Sequence, residues 1–323
     1  MSVWLAGTYT EDMGGTAEGI LALRTTATGG LEVTGTAAPA ASPSYLALDG
    51  TTVYAVAEGE GRLAAFALDG STLTALGDTS AGGEAPCHIG VYGSAVIVSN
   101  YVSGTLGMID AEPLDLVQTL AAEGSGPHSA QDGPHAHSTL RLDDGTVLSA
   151  DLGADRIHVH ALGDGRLERT ASLELPPGTG PRDIVALPDG RLLVLAELSA
   201  RLLLLRWSGS LSVVTSVALA GAAEGDHAAG ISLSRDGRFV YVALRGSNRV
   251  SVIAIDGDEL TAVDSVSCAG DWPRHLVVEG DVLHVANQLS STVTSFSIGS
   301  DGIPQLLETT AVPSPTFLLR VSE

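Results

Sequence analysis

Short runs of Val, Leu, Ile and Ala recur along this chain, separated by turns such as Asp-Gly and Gly-Ser. Six of the 14 prolines, at 43, 86, 134, 181, 273 and 315, lie at the start of these runs. The successive gaps are 43, 48, 47, 92 and 42 residues, and 92 is two periods of 46. Within a period the pattern is constant. Pro181-Arg-Asp-Ile-Val-Ala-Leu-Pro-Asp-Gly leads into Leu193-Val-Leu-Ala-Glu197, as Pro86-Cys-His-Ile-Gly-Val leads into Ala95-Val-Ile-Val-Ser-Asn100. A third run follows, such as Val250-Ser-Val-Ile-Ala-Ile, and then a weaker fourth, such as Leu260-Thr-Ala-Val. No long segment carries the apolar period of a helix, which argues against βαβ units. Four short strands in every ~40–50 residues predict the blade of a β-propeller.

First strands number seven, and the seventh, Pro315-Thr-Phe-Leu-Leu-Arg-Val, has no runs after it. Three runs near the start, Val3-Trp-Leu-Ala-Gly-Thr8, Gly19-Ile-Leu-Ala-Leu-Arg24 and Leu31-Glu-Val-Thr-Gly-Thr36, supply what is missing. The expectation is an all-β, seven-bladed β-propeller with four-stranded antiparallel blades, a single domain over 1–323. N-terminal strands pairing with the C-terminal strand close the ring, so no edge is left open.

Charge narrows the partners. The 16 basic residues are all Arg, against 38 acidic residues, for a net charge of −22. Such a surface repels nucleic-acid phosphate, and no polybasic stretch offers itself to anionic lipid. No apolar run reaches the ~18–20 residues of a membrane span. The opening Met1-Ser-Val-Trp-Leu-Ala-Gly-Thr8 lacks the basic and long apolar regions of a signal peptide, so a cytoplasmic location is expected. Cys87 and Cys268 form neither a disulfide framework nor a zinc site.

In an antiparallel blade, the start of the first strand and the end of the second lie on one rim. The second-strand ends read Thr8, Glu58, Asn100, Asp151, Glu197, Leu244-Arg245 and Asn287. The first-strand starts carry Ser44, Cys87-His88, His135, His137, Arg182-Asp183, His227, Arg274-His275 and Thr316. Taken singly, such residues often satisfy turn amides. Arg182 and Arg274 invite the reading of repeat furniture paired with Glu197 or Asp183. As a set, Arg, His and carboxylates on one rim exceed what turns require and predict a concave site. Other motifs are weaker. Gly178-Thr-Gly-Pro181 and Gly124-Ser-Gly-Pro127 open no helix and carry no Lys, so they are not P-loops. Asp151-Leu-Gly-Ala-Asp155 and Asp256-Gly-Asp258 lack calcium-loop spacing and read as turns. His158-Val-His160 reads as an exposed strand face.

Several segments resemble, in order and over essentially the whole chain, the lactonase family of seven-bladed propellers. They include Gly7-Thr-Tyr-Thr10, Pro43-Ser-Tyr-Leu46, Pro86-Cys-His88, Asn100-Tyr101, Pro134-His-Ala-His-Ser138, Asp151-Leu-Gly-Ala-Asp155, Pro176-Pro-Gly-Thr-Gly-Pro-Arg182, Glu197-Leu198, Arg245-Gly246 and Pro273-Arg-His275. That family includes propeller-type 6-phosphogluconolactonases and carboxy-cis,cis-muconate cyclases. The resemblance implies a lactone substrate and an active constellation of one His, two Arg and one Glu. Here these fall on His137 or His135, on Arg182 with Arg245 or Arg274, and on Glu197. This chain departs from the pattern at Asp183, where the family tends to have His, and at Ala243-Leu-Arg-Gly246, where it tends to have Ser-Asn-Arg-Gly.

The resulting expectation is a lactone hydrolase, 6-phosphogluconolactonase-like, needing neither metal nor other cofactor and acting on a small, anionic lactone. Glu197 or His137 is the general base, with Arg182 and Arg245 at the oxyanion and the substrate anion. His135, His88, Arg274, His275, Asn100, Asp151 and Glu58 are expected to bind substrate. The alternatives are a muconate-type cyclisation, another lactone, a metal-assisted hydrolysis using Glu58, Asn100, Asp151, Glu197 and Asn287, and a binding propeller without catalysis. Cys87 as nucleophile needs a neighbouring base such as His88 or His137.

Overall fold

Alternating aliphatic runs that end at Asp-Gly and Gly-Ser turns have one way to bury both faces: as sheets stacked against other sheets. The computed structural model describes residues 2–163 and 165–322 and arranges them as seven four-stranded sheets. The fourth repeat shows the plan, with strands Pro181–Ala186, Leu192–Ala196, Arg201–Trp207 and Leu211–Ala218 paired in order and antiparallel. Its second strand is buried along its whole length, while its fourth is mostly at the surface. Seven apolar clusters fill the seven gaps between adjacent sheets. Between the fourth and fifth repeats, for example, Leu193, Leu195, Leu202 and Leu204 meet Ala228, Val240 and Val242. Each such Leu contributes roughly 1.5–3 kcal/mol by burial.

The ring closes as expected. Pro315–Ser322 joins Val3–Thr8, Gly19–Thr25 and Leu31–Pro39 in one sheet, with Leu5 opposite Leu319 and Ala6 opposite Leu318. Among the described residues, no helix is long and apolar enough to cross a membrane.

One irregularity repeats around the axis. In six of the repeats the first strand carries an extra residue against its neighbour, a β-bulge. In the fourth, Pro181 lies opposite Ala196 and Asp183 opposite Leu195, so Arg182 has no partner of its own. Cys87, His137, Arg274 and Thr316 occupy the same position in their repeats, and in the fifth repeat Ala229 and Gly230 share it. A bulge bends the strand and re-aims its side chain, here towards the axis. The residue ahead of the proline is left-handed at Ser42, Ala85, Gly180, Trp272 and Ser314, with φ of 34, 52, 59, 61 and 38°. Only Gly180 adopts this without a side-chain penalty.

Candidate active site

The bulge ring and a second ring just above it enclose an axial cavity of about 220 Å³ lined by Glu58, Cys87, Tyr101, His137, Arg182, Glu197, Arg245 and Arg274. The upper ring is the residue that follows each second strand, or ends it in the fifth repeat. Its N–H donates to the carbonyl of the residue just ahead of the first-strand proline: Tyr9 to Ser314, Glu58 to Ser42, Tyr101 to Ala85, Glu197 to Gly180, Gln288 to Trp272. In the fifth repeat Arg245 pairs with His227 at the equivalent place. The cavity is thus built from backbone hydrogen bonds that recur in every repeat, and its chemistry from whatever side chain each repeat presents. A larger open groove of about 460 Å³ lies at the opposite rim around Arg235, Asp236, Arg238 and Asp281. There Asp236 and Arg238 are surface residues paired with each other, whereas the axial groups are buried and converge.

Glu197 organises one side. Its Oε2 accepts from Arg182 Nη1, and its Oε1 accepts from Arg245 Nη2 at 2.7 Å and from His227 Nδ1 at 2.9 Å. Burial alone would raise its pKa, but Arg245, Arg182 and the His227 hydrogen bond hold it well below the usual carboxylate range. Arg182 Nε donates to the Ala229 carbonyl at 3.0 Å, and Arg245 Nε to the His227 carbonyl at 3.3 Å. The Arg245 guanidinium also lies 5.5 Å from the Trp272 ring centre. Burial brings the Arg245 pKa down to about 10 despite Glu197, which still leaves it charged at neutral pH.

Glu58 organises the other side. It accepts from the Tyr9 hydroxyl at 2.8 Å and from Arg274 Nη2 at 3.4 Å. The Arg274 guanidinium lies 4.8 Å from the Tyr9 ring centre, and its Nη1 donates to Gln288 at 3.4 Å. Three guanidiniums therefore face two carboxylates, leaving net positive charge inside a protein that is acidic overall. The His137 ring lies edge-on to Tyr101 at 5.8 Å. Burial, and then the charge of Arg182, hold its pKa well below that of a free imidazole, so it is neutral at pH 7. Cys87 is a thiol over the working range, since burial pushes it up to about 12. This removes the basis for a nucleophilic Cys87.

The sequence profile described as "Lactonase, 7-bladed beta-propeller" matches residues 3–320. The chain belongs to this family. It is 31% identical over 295 residues to the 6-phosphogluconolactonase of Bacillus subtilis, covering 84% of each chain. Among solved structures, a protein from Lactobacillus plantarum superposes with a TM-score of 0.92 at 31% identity, over 99% of both chains. The periplasmic gluconolactonase of Pseudomonas aeruginosa superposes with a TM-score of 0.90 at 27% identity, again over 99% of both.

Of the residues expected at the site of this lactonase-family chain, the structure brings His137, Glu197, Arg182, Arg245, Arg274 and Glu58 to the cavity. It places His88 and His275 one level lower, in a second chamber. Three others lie elsewhere. His135 stacks on Tyr101 with ring centres 4.5 Å apart and bonds the Tyr101 carbonyl at 2.8 Å, so it props a cavity residue from behind. Asn100 donates to Thr105 inside its own blade and to the Ala81 carbonyl just after the preceding one. Asp151 accepts from the N–H groups of His135 and Ala154. With Asn287 likewise bonded to Thr294, the oxygen set for an axial metal does not assemble. Among the described residues, no group of three or more His, Cys, Asp or Glu is placed to hold a metal ion. The error is one of register: Asn100, Asp151 and Asn287 precede the cavity position by one residue, and one residue reverses the face. Tyr9, Tyr101 and Gln288, one step on, were missed for the same reason. His158 and His160 are buried, not exposed, because the neighbouring blade covers their strand. His158 bonds Ser172 and His160 bonds Ser149.

Proposed function

We propose that this protein hydrolyses a small lactone, 6-phosphoglucono-lactone first among candidates. The observation that supports it most is a buried cavity in which three guanidiniums surround one neutral imidazole without a hydrogen-bonded partner of its own among the described residues. At about 220 Å³ it is smaller than the ~300–1,000 Å³ of drug-sized pockets, which suits a single sugar ring rather than a peptide.

In this reading His137 is the general base. It is already unprotonated at neutral pH and takes a proton from water as the oxygen adds to the lactone carbonyl. Arg182 and Arg245 face the developing oxyanion, and Arg274 with its neighbours faces the phosphate or hydroxyls. Glu197 is the orienting group rather than the base, because two guanidiniums and His227 already occupy it. An anionic substrate whose phosphate neutralises Arg274 also raises the basicity of His137, so the imidazole becomes a better base once substrate is present. The imidazolium then returns its proton to the ring oxygen as the C–O bond breaks.

A second reading, an unphosphorylated aldonolactone, draws on the pairing of all three Arg with Glu58 and Glu197, which leaves little unspent positive charge. Steady-state hydrolysis of glucono-lactone and 6-phosphoglucono-lactone by wild type and Arg274→Ala decides between them. The first reading expects the phosphorylated lactone to be preferred and Arg274→Ala to raise its KM selectively. Equal KM changes for both lactones would leave the unphosphorylated reading, and no turnover of any lactone would end both.

A further inference from the structure

Below the level of Cys87, His137, Arg182 and Arg274 the channel opens into a second chamber of about 40 Å³, sharing those four residues with the cavity above. A water molecule needs roughly 10–15 Å³ of such space, so about three or four fit. The chamber wall holds three buried polar atoms without a hydrogen-bond partner among the described residues: Ser44 Oγ, His88 Nδ1 and Ser138 Oγ. Ser44 and Ser138 are 4% and 1% exposed. Buried polar atoms without protein partners are ordinarily met by ordered water.

Asp183 faces the same space. The one hydrogen bond described for it comes from the N–H of its neighbour Ile184, at 2.9 Å to Oδ1. Arg182, next to it in the chain, is turned the other way, onto Glu197 and the Ala229 carbonyl. The other titratable groups around the chamber are Tyr45, Cys87, His88, His137, Arg182, Arg274 and His275. Burial pushes His88 and His275 down to about 3, raises Tyr45 and carries Cys87 up to about 12, so those four stay uncharged near neutrality. Burial, opposed by Arg182, lifts Asp183 to about 6.

Lactone hydrolysis releases a proton. Water gives one proton to the base, which passes it to the ring alkoxide, and the acid formed among three guanidiniums then ionises. That last proton has to leave. We propose that the lower chamber is a hydrated proton-exchange site, in which Asp183 receives the product's proton through His137 and the chamber waters. The proposal rests on the hydrolase reading above. The O–H bond of the product acid breaks, an O–H bond forms on Asp183, and the proton later returns to solvent, so nothing else is consumed. The transfer runs downhill, because an ordinary carboxylic acid ionises near pH 4.

The test combines an infrared titration with kinetics on wild type and Asp183→Asn, an isosteric change that keeps the oxygen facing Ile184. The expected result is a protonated-carboxyl signal with a midpoint near pH 6 that is missing from the variant. The kcat for lactone should be about tenfold lower in the variant at pH 7.5, with KM unchanged. Wild-type kcat should also fall as pH drops through the same midpoint, and the variant should lack that limb. Should Asp183→Asn fail to fold, Ser138→Ala, which removes a water ligand but keeps the carboxyl, should lower kcat in the same sense. A carboxyl titrating in the ordinary range, or superimposable pH profiles, would overturn the proposal. If wild type turned over no lactone, the hydrolase reading alone would fall, and the infrared midpoint would still decide the chamber.

Discussion

Replacing Glu197 by Gln keeps the shape of the side chain and removes the charge that Arg182 and Arg245 share. Both guanidiniums and the carboxylate have side chains about 10% exposed or less. Removing one partner of such a buried pair costs about 3–5 kcal/mol, because the charges left behind remain desolvated. Against a net stability of about 5–15 kcal/mol this is a large share. With a urea slope near 3 kcal/mol/M, the unfolding midpoint should fall by roughly 1–1.7 M. The pH dependence has a definite sign. The folded pKa of Glu197 lies below its unfolded value, so its stabilisation is complete above about pH 4.5. It is lost as pH falls through the lower folded value. The gap between wild type and Glu197→Gln should therefore be full at pH 7, start to narrow below about pH 4.5, and close only below the depressed folded value. Inorganic phosphate should restore part of the loss by binding the released guanidiniums in the folded state only. Urea melts at pH 7 and in steps through the acid range below about pH 4.5, with and without phosphate, measure all of this. A gap under about 1 kcal/mol at pH 7 that phosphate does not change would refute the clamp.

Other perturbations give simpler outcomes. His137→Gln should lower kcat by about 10²–10⁴ with little change in KM, measured by steady-state lactone hydrolysis; a KM-only effect would remove it as base. Because burial and Arg182 hold His137 neutral near pH 7, its protonation should not cost the enzyme activity between pH 8 and 7. Dialysis against a chelator should leave the rate unchanged, since three guanidiniums oppose a cation in the cavity. Tyr9→Phe should free Glu58 to pair more closely with Arg274 and raise KM for an anionic lactone by less than Arg274→Ala does, which a comparison of the two variants checks.

The seven-bladed ring and its closure were legible because proline spacing and strand period report on backbone packing, which repeats. Arg182 and Arg274 were legible for the same reason: each follows a proline that starts a first strand. What failed was the difference between adjacent residues. Asn100 and Tyr101 both sit at the end of a strand, and only the hydrogen bond from the Tyr101 N–H to the Ala85 carbonyl shows which one faces the axis. His135 and His137 lie on the same stretch, and the bulge between Ala136 and Ser138 selects His137. Bulges depend on the partner strand, so a single strand read alone does not disclose them. Aligning the seven second-strand ends on the residue after Thr8, Asn100, Asp151 and Asn287 would have exposed the full upper ring. His158 and His160 look like an outward face only if the next blade is left out of account.

Because the bulge of a first strand points at the axis in six of the repeats, those blades behave as interchangeable staves around a common drum. The hydrocarbon that glues each stave to its neighbour lies in the gaps between sheets, while the reactive groups hang from irregularities at the hub. A substitution at Cys87 or Thr316 therefore alters what the hub recognises while leaving the gluing surfaces untouched. The six hub positions form a dial on which chemistry can be reset one blade at a time.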